Sequence, residues 1–293
     1  LHLMKDRVLH GTKVTGNSEL YSKAIIIGAG WIFFYLSLVL FPLQPDSTIS
    51  LLVHILKCIC LGFFTAMIGF NIMHDGGHGS FSSKSWVNTI MVSTLNVLGG
   101  NHVIWKFKHN TVHHTFTNVA DHDDDIELGV LARFHPAQKW YWFHKFQAIY
   151  VPLLLYPLGY ISWIYIHDFK KYFTGKVGSA EFTLTPSQHV VFWISKLTHV
   201  ALFVVLPLVT YSLTQVLIGY AIVTVTTGFL ISIVFQLAHV VPQAQMIAVN
   251  EHNAIVDEFP IHQIKTTADF ATKSKFWKWF CGGLNFQVVH HLF

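Results

Sequence analysis

Charge is what this 293-residue chain has little of: Asp, Glu, Lys and Arg make up only 12% of it, about half the share in an average soluble domain. With 52% hydrophobic residues and a mean hydropathy of +0.46, that scarcity excludes an ordinary soluble globular protein. Basic residues are also too few to make nucleic acid a partner, since the 19 Lys and Arg form no polybasic tail or stripe and most aromatics lie within or beside the hydrophobic runs. Cysteine is nearly missing, and Cys58, Cys60 and Cys281 have no paired spacing, which argues against a disulfide framework. Internal repeats and low-complexity tracts are not evident. The opening stretch LHLMKDRVLHGTK has neither the form of a signal peptide nor a convincing initiator methionine, so a truncated N-terminus is one expectation.

What the chain has instead is long apolar runs, at 24–41, 51–73, 148–166, 188–210 and 213–241, each near the ~20 residues a helix needs to cross a bilayer core. Lys5, Arg7, Lys13 and Lys23 precede the first run, whereas the loop at 42–50 carries Asp46 and no base, which places the N-terminus in the cytoplasm. The first two runs then form a hairpin, and residues 74–147 lie on the cytoplasmic side, with 86–99 along the interface.

Five crossings would separate His239 and His290 from His74 and His109, so a single histidine site needs an even number. The run to demote is 148–166, interrupted by Pro152, Pro157 and Gly159 and followed by Lys170 and Lys171. The expected architecture is an all-α, integral membrane domain spanning residues 1–293: four transmembrane helices in two hairpins, surrounded by membrane lipids, under a cytoplasmic helical cap.

Histidine is abundant, with 20 in the chain, and it clusters. His74 and His78 are four apart, the spacing that shares a helix face, and Gly76 and Gly77 between them leave room for a bulky cofactor or for close packing. His109 and His113 share a face in the same way, while His114 points about 100° aside in an α-helix, so one turn can serve two metals. Gln287, His290 and His291 stand at i, i+3 and i+4, and His239 closes the last long apolar run. Eight imidazoles exceed what one ion takes and suit two, and imidazole alone does not choose among Fe, Zn, Cu and Ni. The isolated His10, His102, His144 and His199 are read as surface or packing residues, and His54 and Lys57 as interfacial ones.

HDGGHGSF, WKFKHNTVHHTFTN and NFQVVHHLF resemble the three histidine boxes of the membrane fatty acid desaturases, in the order HxxxH, HxxxHH and QxxHH. The glutamine of the third box is similar to that of the front-end, linoleoyl-CoA desaturase-like branch. Supporting stretches are TNVADHDDDI at 117–126 and HQIKTTADF at 262–270. Relatives continue beyond the third box, so truncation after Phe293 is expected.

The resemblance implies an oxidoreductase with two non-haem iron ions, using O2 and two electrons to leave a cis double bond in a long-chain acyl-CoA or acyl-lipid. Its ligands would be His74, His78, His109, His113, His114, His239, His290 and His291. Relatives have a water-binding asparagine four residues before that additional ligand; here the position is Phe235, beside Gln236, so the role is not transferred. Gln287 offers an amide oxygen as a weak ligand or a water-orienting group. The acidic run Asp121, Asp123, Asp124, Asp125 and Glu127 offers acceptors for imidazole N–H groups, Asp123 and Asp125 being the candidates beside the cofactor.

Lys84, Lys106, Lys108, Arg133 and Lys139 are candidate partners for a headgroup or thioester phosphate. With no HPGG-like haem motif, nucleotide fingerprint or CxxC pattern in the chain, electrons would come from separate reduced ferredoxin or cytochrome b5. An apolar tunnel running from the metal site between the hairpins would hold the acyl chain. A diiron acyl hydroxylase on the same plan, and a histidine-rich membrane metal transporter or sensor, are the competing readings.

Overall fold

The apolar runs begin with strong stop-and-start signals. Asn17 accepts the Leu20 N–H (2.9 Å) at the start of α1 (Ser18–Leu40), and Ser47 accepts the Ser50 N–H (3.2 Å) at the start of α2 (Thr48–Gly77). Capping boxes, in which side chain and backbone bond reciprocally, open two more helices. Thr185 and Gln188 flank the Pro186 start of α6 (Pro186–Val209), and Ser212 and Gln215 open α7 (Leu213–His239). The computed structural model describes residues 16–42, 47–126, 128–136, 138–252 and 254–293; Lys5, Arg7, His10, Lys13, Asp46 and Glu127 lie outside them.

The protein is an all-α, multi-span membrane protein. Ile25, Phe33, Leu52, Val209 and Leu217 point outward from the long helices, as lipid-facing side chains do. The shared core lies between α1, α2 and α7, around Ile27, Met67 and Val234, and the cap adds Phe280 and Cys281. Gly62 brings α2 and α7 together: a Cβ there would meet Val223 O at 2.7 Å, and Thr227 donates across the interface to Gly62 O (3.1 Å).

The run at 148–166 is part of one unbroken helix. Among the described residues, five helices are long and apolar enough to cross a membrane, and α5 (Trp142–Thr174) is one of them. Pro152 and Pro157 do not break it, because each falls at the start of a new helical segment within it, after a switch between α and π hydrogen bonding. Both ends of α5 are nevertheless tied to the polar region. Tyr150 Oη donates to Leu131 O (2.6 Å) near one end, and Lys171 pairs with Asp124 (2.5 Å) near the other.

The cap consists of α3 (Ser85–Val97), α4 (His102–Lys106), α8 (Phe259–Thr266), α9 (Lys275–Phe280) and α10 (Gln287–Leu292). Helix α3 buries Val92 and Leu95 and exposes Trp86 and Ile90, the amphipathic character expected of an interfacial element. A two-residue hairpin, Lys176–Val177 with Ala180–Glu181, follows α5.

Two buried charges lock the cap to the helices. Lys196 Nζ donates to Asp168 Oδ2 (2.6 Å), Gly99 O (2.6 Å) and Ile164 O (2.9 Å), while Asp168 also accepts the Asn101 N–H (2.9 Å). That arrangement fixes the turn before α4. His102, His144 and His199 bond to Asn96, Val130 O and Tyr220 respectively, in keeping with packing roles.

Candidate metal centre

Helix α2 reaches the site by changing pitch. It winds as a π-helix over Gly69–Met73, returns to α over His74–Gly77, and ends on His78. The two glycines serve close packing: a Cβ on Gly77 would lie 2.3 Å from the Trp105 ring, and one on Gly76 would lie 2.6 Å from the Met91 side chain and 2.7 Å from the Val92 backbone of α3. Held this way, the His74 and His78 rings stand 4.5 Å apart.

Helix α4 starts where Asn101 accepts the Ile104 N–H (3.0 Å) and runs on as a π-helix over Phe107–His113. The face-sharing expected from the spacing holds, since ligand atoms of His109, His113 and Asp125 lie within 4.8 Å of one another. The His109 and His113 rings stack at 5.3 Å; His109 in addition faces the first box, and His113 in addition joins His239 and His291. His114, just past the π-turn, comes within 4.8 Å of the His290 ring and 4.3 Å of the His291 ring. On α10, adjacent residues also divide, His290 to one group and His291 to the other.

All eight histidines singled out in the sequence therefore meet. One nitrogen from each of His74, His78, His109 and His290 lies within 4.8 Å of the others, and the same holds for His113, His239 and His291, with His114 grouped with His290 and His291. Gln287 is buried with its Nε2 3.1 Å from His239 Nε2. Phe235 packs its ring 4.8 Å from His239 and 5.5 Å from His113.

Carboxylates stand behind the imidazoles. Asp123, fully buried, accepts from His113 Nδ1 (2.9 Å), Asn118 N (2.9 Å) and Asp125 N (3.0 Å). Asp125 lies 3.8 Å from His109 Nδ1 and pairs with Lys108. Lys108 thus turns inward to the cavity wall, and Arg133 donates to the carbonyls of Gln138 and Pro136. Lys84, Lys106 and Lys139 remain exposed.

Burial and crowding disfavour protonation of most of these imidazoles. Burial first, and neighbouring histidines second, push His78 and His114 down to about 2. The same causes put His109, His290 and His291 well below the usual imidazole range. His113 is the exception: burial pulls it down, but the Asp123 carboxylate on its Nδ1 outweighs that and raises it. Neutral imidazole is the metal-binding form.

The donor set fits metal ions. His78 Nε2, His113 Nε2, His239 Nδ1, His290 Nε2 and His291 Nε2 are buried without a hydrogen-bond partner. Such groups are costly unless satisfied. Cations at the two groups would satisfy them, and an all-imidazole set backed by carboxylates suits first-row transition metals.

A cavity of about 230 Å³ opens beside the cluster, bounded at that end by His74, His109 and Gln287 and elsewhere by Met73, Leu95, Leu98, Tyr160 and Phe235. Sequence reasoning assigned no role to Thr117, Asn118 or Gln263, although they fall in the two supporting stretches. Asn118, at φ 56°, donates its side-chain amide to His239 O (2.8 Å) and so ties the second box to α7. No spacing rule could have marked them.

Membrane-length helices that end in two buried imidazole clusters near a largely apolar cavity mark a multi-span membrane protein with a histidine-rich cluster of the diiron type. The comparisons with known proteins agree. The fatty acid desaturase family model matches residues 49–293. A sn-1 linoleoyl-lipid 6-desaturase of Arthrospira platensis is 36% identical over 279 residues, covering 94% of this chain and 74% of that protein. Its counterpart in Synechocystis sp. is 33% identical over 294 residues, covering 97% and 78%. An acyl-lipid (8-3)-desaturase of Physcomitrium patens is 34% identical over 249 residues, covering 83% and 52%.

The chain belongs to the fatty acid desaturase family. It is an oxidoreductase that desaturates acyl chains at the expense of O2.

Proposed function

We propose that the chain introduces a cis double bond at the carboxyl-proximal side of a long-chain acyl group, as a front-end desaturase, with two irons held by its eight clustered histidines. The observation that carries this reading is the convergence of eight imidazoles into adjoining buried groups, of which His74 and His109 border a largely apolar cavity. The relatives' names point to acyl-lipid substrates, and two of them to position 6.

Overall, a –CH2–CH2– pair, O2, two electrons and two protons become –CH=CH– and two waters. Bound iron supplies the reductive activation of O2 and the power to remove both hydrogens. His74, His78, His109 and His290 would hold one ion, and His113, His239 and His291 the other, with His114 between them. Asp123 holds the His113 tautomer. Met73, Leu95 and Phe235 exclude water and grip the methylene chain, so that position along the cavity selects the carbon. Electrons come from a separate reduced ferredoxin or cytochrome b5.

Four crossings in two hairpins account for the arrangement. The C-terminal ends of α2 and α7 meet at the site, and Gly16 at the start of α1 bonds Ser80 O (3.0 Å). Helix α5, tethered at both ends to residues 124–131, lies on the metal side without crossing. The positive-inside bias puts that side and the N-terminus in the cytoplasm.

The test is expression in a host without polyunsaturated fatty acids, feeding of defined acyl substrates, and location of new double bonds by mass spectrometry. A new carboxyl-proximal double bond is expected. A hydroxylated product, or no product from iron-loaded protein with a working electron donor, would overturn the reading.

A further inference from the structure

The stretch HQIKTTADF has one residue placed to act on the metal centre. Gln263 is fully buried on α8, between the second and third histidine boxes. Its Nε2 lies 3.0 Å from His114 O, and its Oε1 lies 2.9 Å from His291 Nδ1 and 3.0 Å from Thr117 Oγ1.

These contacts determine the protonation pattern. A backbone carbonyl only accepts, so the group facing His114 O must be the amide NH2, and the oxygen must face His291. That oxygen also only accepts, so His291 carries its proton on Nδ1. The bare lone pair is then on Nε2, the nitrogen that is buried with no hydrogen-bond partner. Thr117 is compatible with the same arrangement: whether its one hydroxyl proton goes to His113 O (2.7 Å) or to Gln263 Oε1 (3.0 Å), its oxygen keeps a lone pair for His291 Nδ1 at 3.2 Å.

From this we infer that Gln263 is a positioning residue for the metal ion held by His113, His239 and His291. It fixes the tautomer and ring orientation of His291 and ties that ring to the backbone of His114. The inference rests on the diiron reading above.

It also makes the two supported histidines of this ion unequal. His113 leans on the carboxylate of Asp123, whereas His291 leans on a neutral amide, which adds less basicity to its ring. Only the amide can donate to His114 O and accept from His291 at once. A carboxylate at this position keeps the acceptor and loses the donor.

The test measures iron per chain and the Mössbauer spectrum of 57Fe-loaded, detergent-solubilised protein, comparing the unaltered chain with Gln263→Leu and Gln263→Glu. Loss of such an outer partner typically costs about 10–100-fold in metal affinity. Gln263→Leu is therefore expected to retain roughly one iron under conditions where the unaltered chain holds two. Gln263→Glu is expected to retain two, with the signal of one iron shifted by the stronger donation of His291.

Two irons with an unchanged spectrum in Gln263→Leu would overturn the inference. If that variant fails to accumulate, Gln263→Glu decides, and a spectrum identical to that of the unaltered chain would overturn it. Failure of the unaltered chain to bind iron would instead sink the diiron reading, so the two failures are distinguishable.

Discussion

His113 Nδ1 donates to Asp123 Oδ2 across 2.9 Å, in a site where both side chains are almost completely shielded from solvent. The same carboxylate accepts from the backbone N–H groups of Asn118 and Asp125. Three donors converge on it, and only a carboxylate has acceptors enough for all.

Asp123→Asn keeps the shape but turns an NH2 group towards one of those donors. Turnover and iron affinity are expected to fall about 10–100-fold, the usual cost of losing such a partner. Iron content and product formation, measured at equal amounts of purified protein, check this. Undiminished values for both would mean that Asp123 does not support His113.

Gly77→Ala tests the packing behind the first box. Its new Cβ would press on the Trp105 ring at 2.3 Å, an overpacking that costs about 1–3 kcal/mol. Thermal stability should drop, and Trp105→Phe, which removes the ring atoms in contact, should recover part of the loss in the double variant. Strictly additive losses would contradict the contact.

The pair between Lys196 and Asp168 is deeply buried, so removing one partner strands a charge. Lys196→Met is expected to cost about 3–5 kcal/mol, and the double variant Lys196→Met, Asp168→Asn to cost less than the single one. Thermal unfolding followed by size-exclusion chromatography measures both. A double variant no better than Lys196→Met would show that the Asp168 charge is not what destabilises.

Phe235 lines the cavity and packs on His113 and His239. Phe235→Ala should leave both irons bound while loosening the acyl chain beside them, lowering kcat/KM by about 10- to 100-fold, the scale of a misplacement near 1 Å. The double-bond position should spread over neighbouring carbons. A single product at an unchanged rate would remove Phe235 from substrate positioning.

Much of this was legible in the chain because apolar runs and histidine spacing report directly on helices and on helix faces. The runs at 24–41 and 51–73 became Ser18–Leu40 and Thr48–Gly77, and all eight marked histidines converge. Spacing said less where the backbone leaves α geometry. The π-helix at Phe107–His113 turns His109 also to the first box and His113 also to His239 and His291 while their rings stay stacked, and segment starts at Pro152 and Pro157 keep α5 continuous. Gln263 and Asn118 were invisible for another reason. A single buried amide has no period, and its role exists only once distant segments have met.

Metal analysis of the purified, detergent-solubilised chain, paired with His78→Ala and His113→Ala variants, tests the two-ion histidine site most directly. Two irons per chain are expected, with each variant falling towards one and losing desaturated product while remaining in the membrane. A single iron in the unaltered chain, or two irons and full activity in His113→Ala, would contradict it.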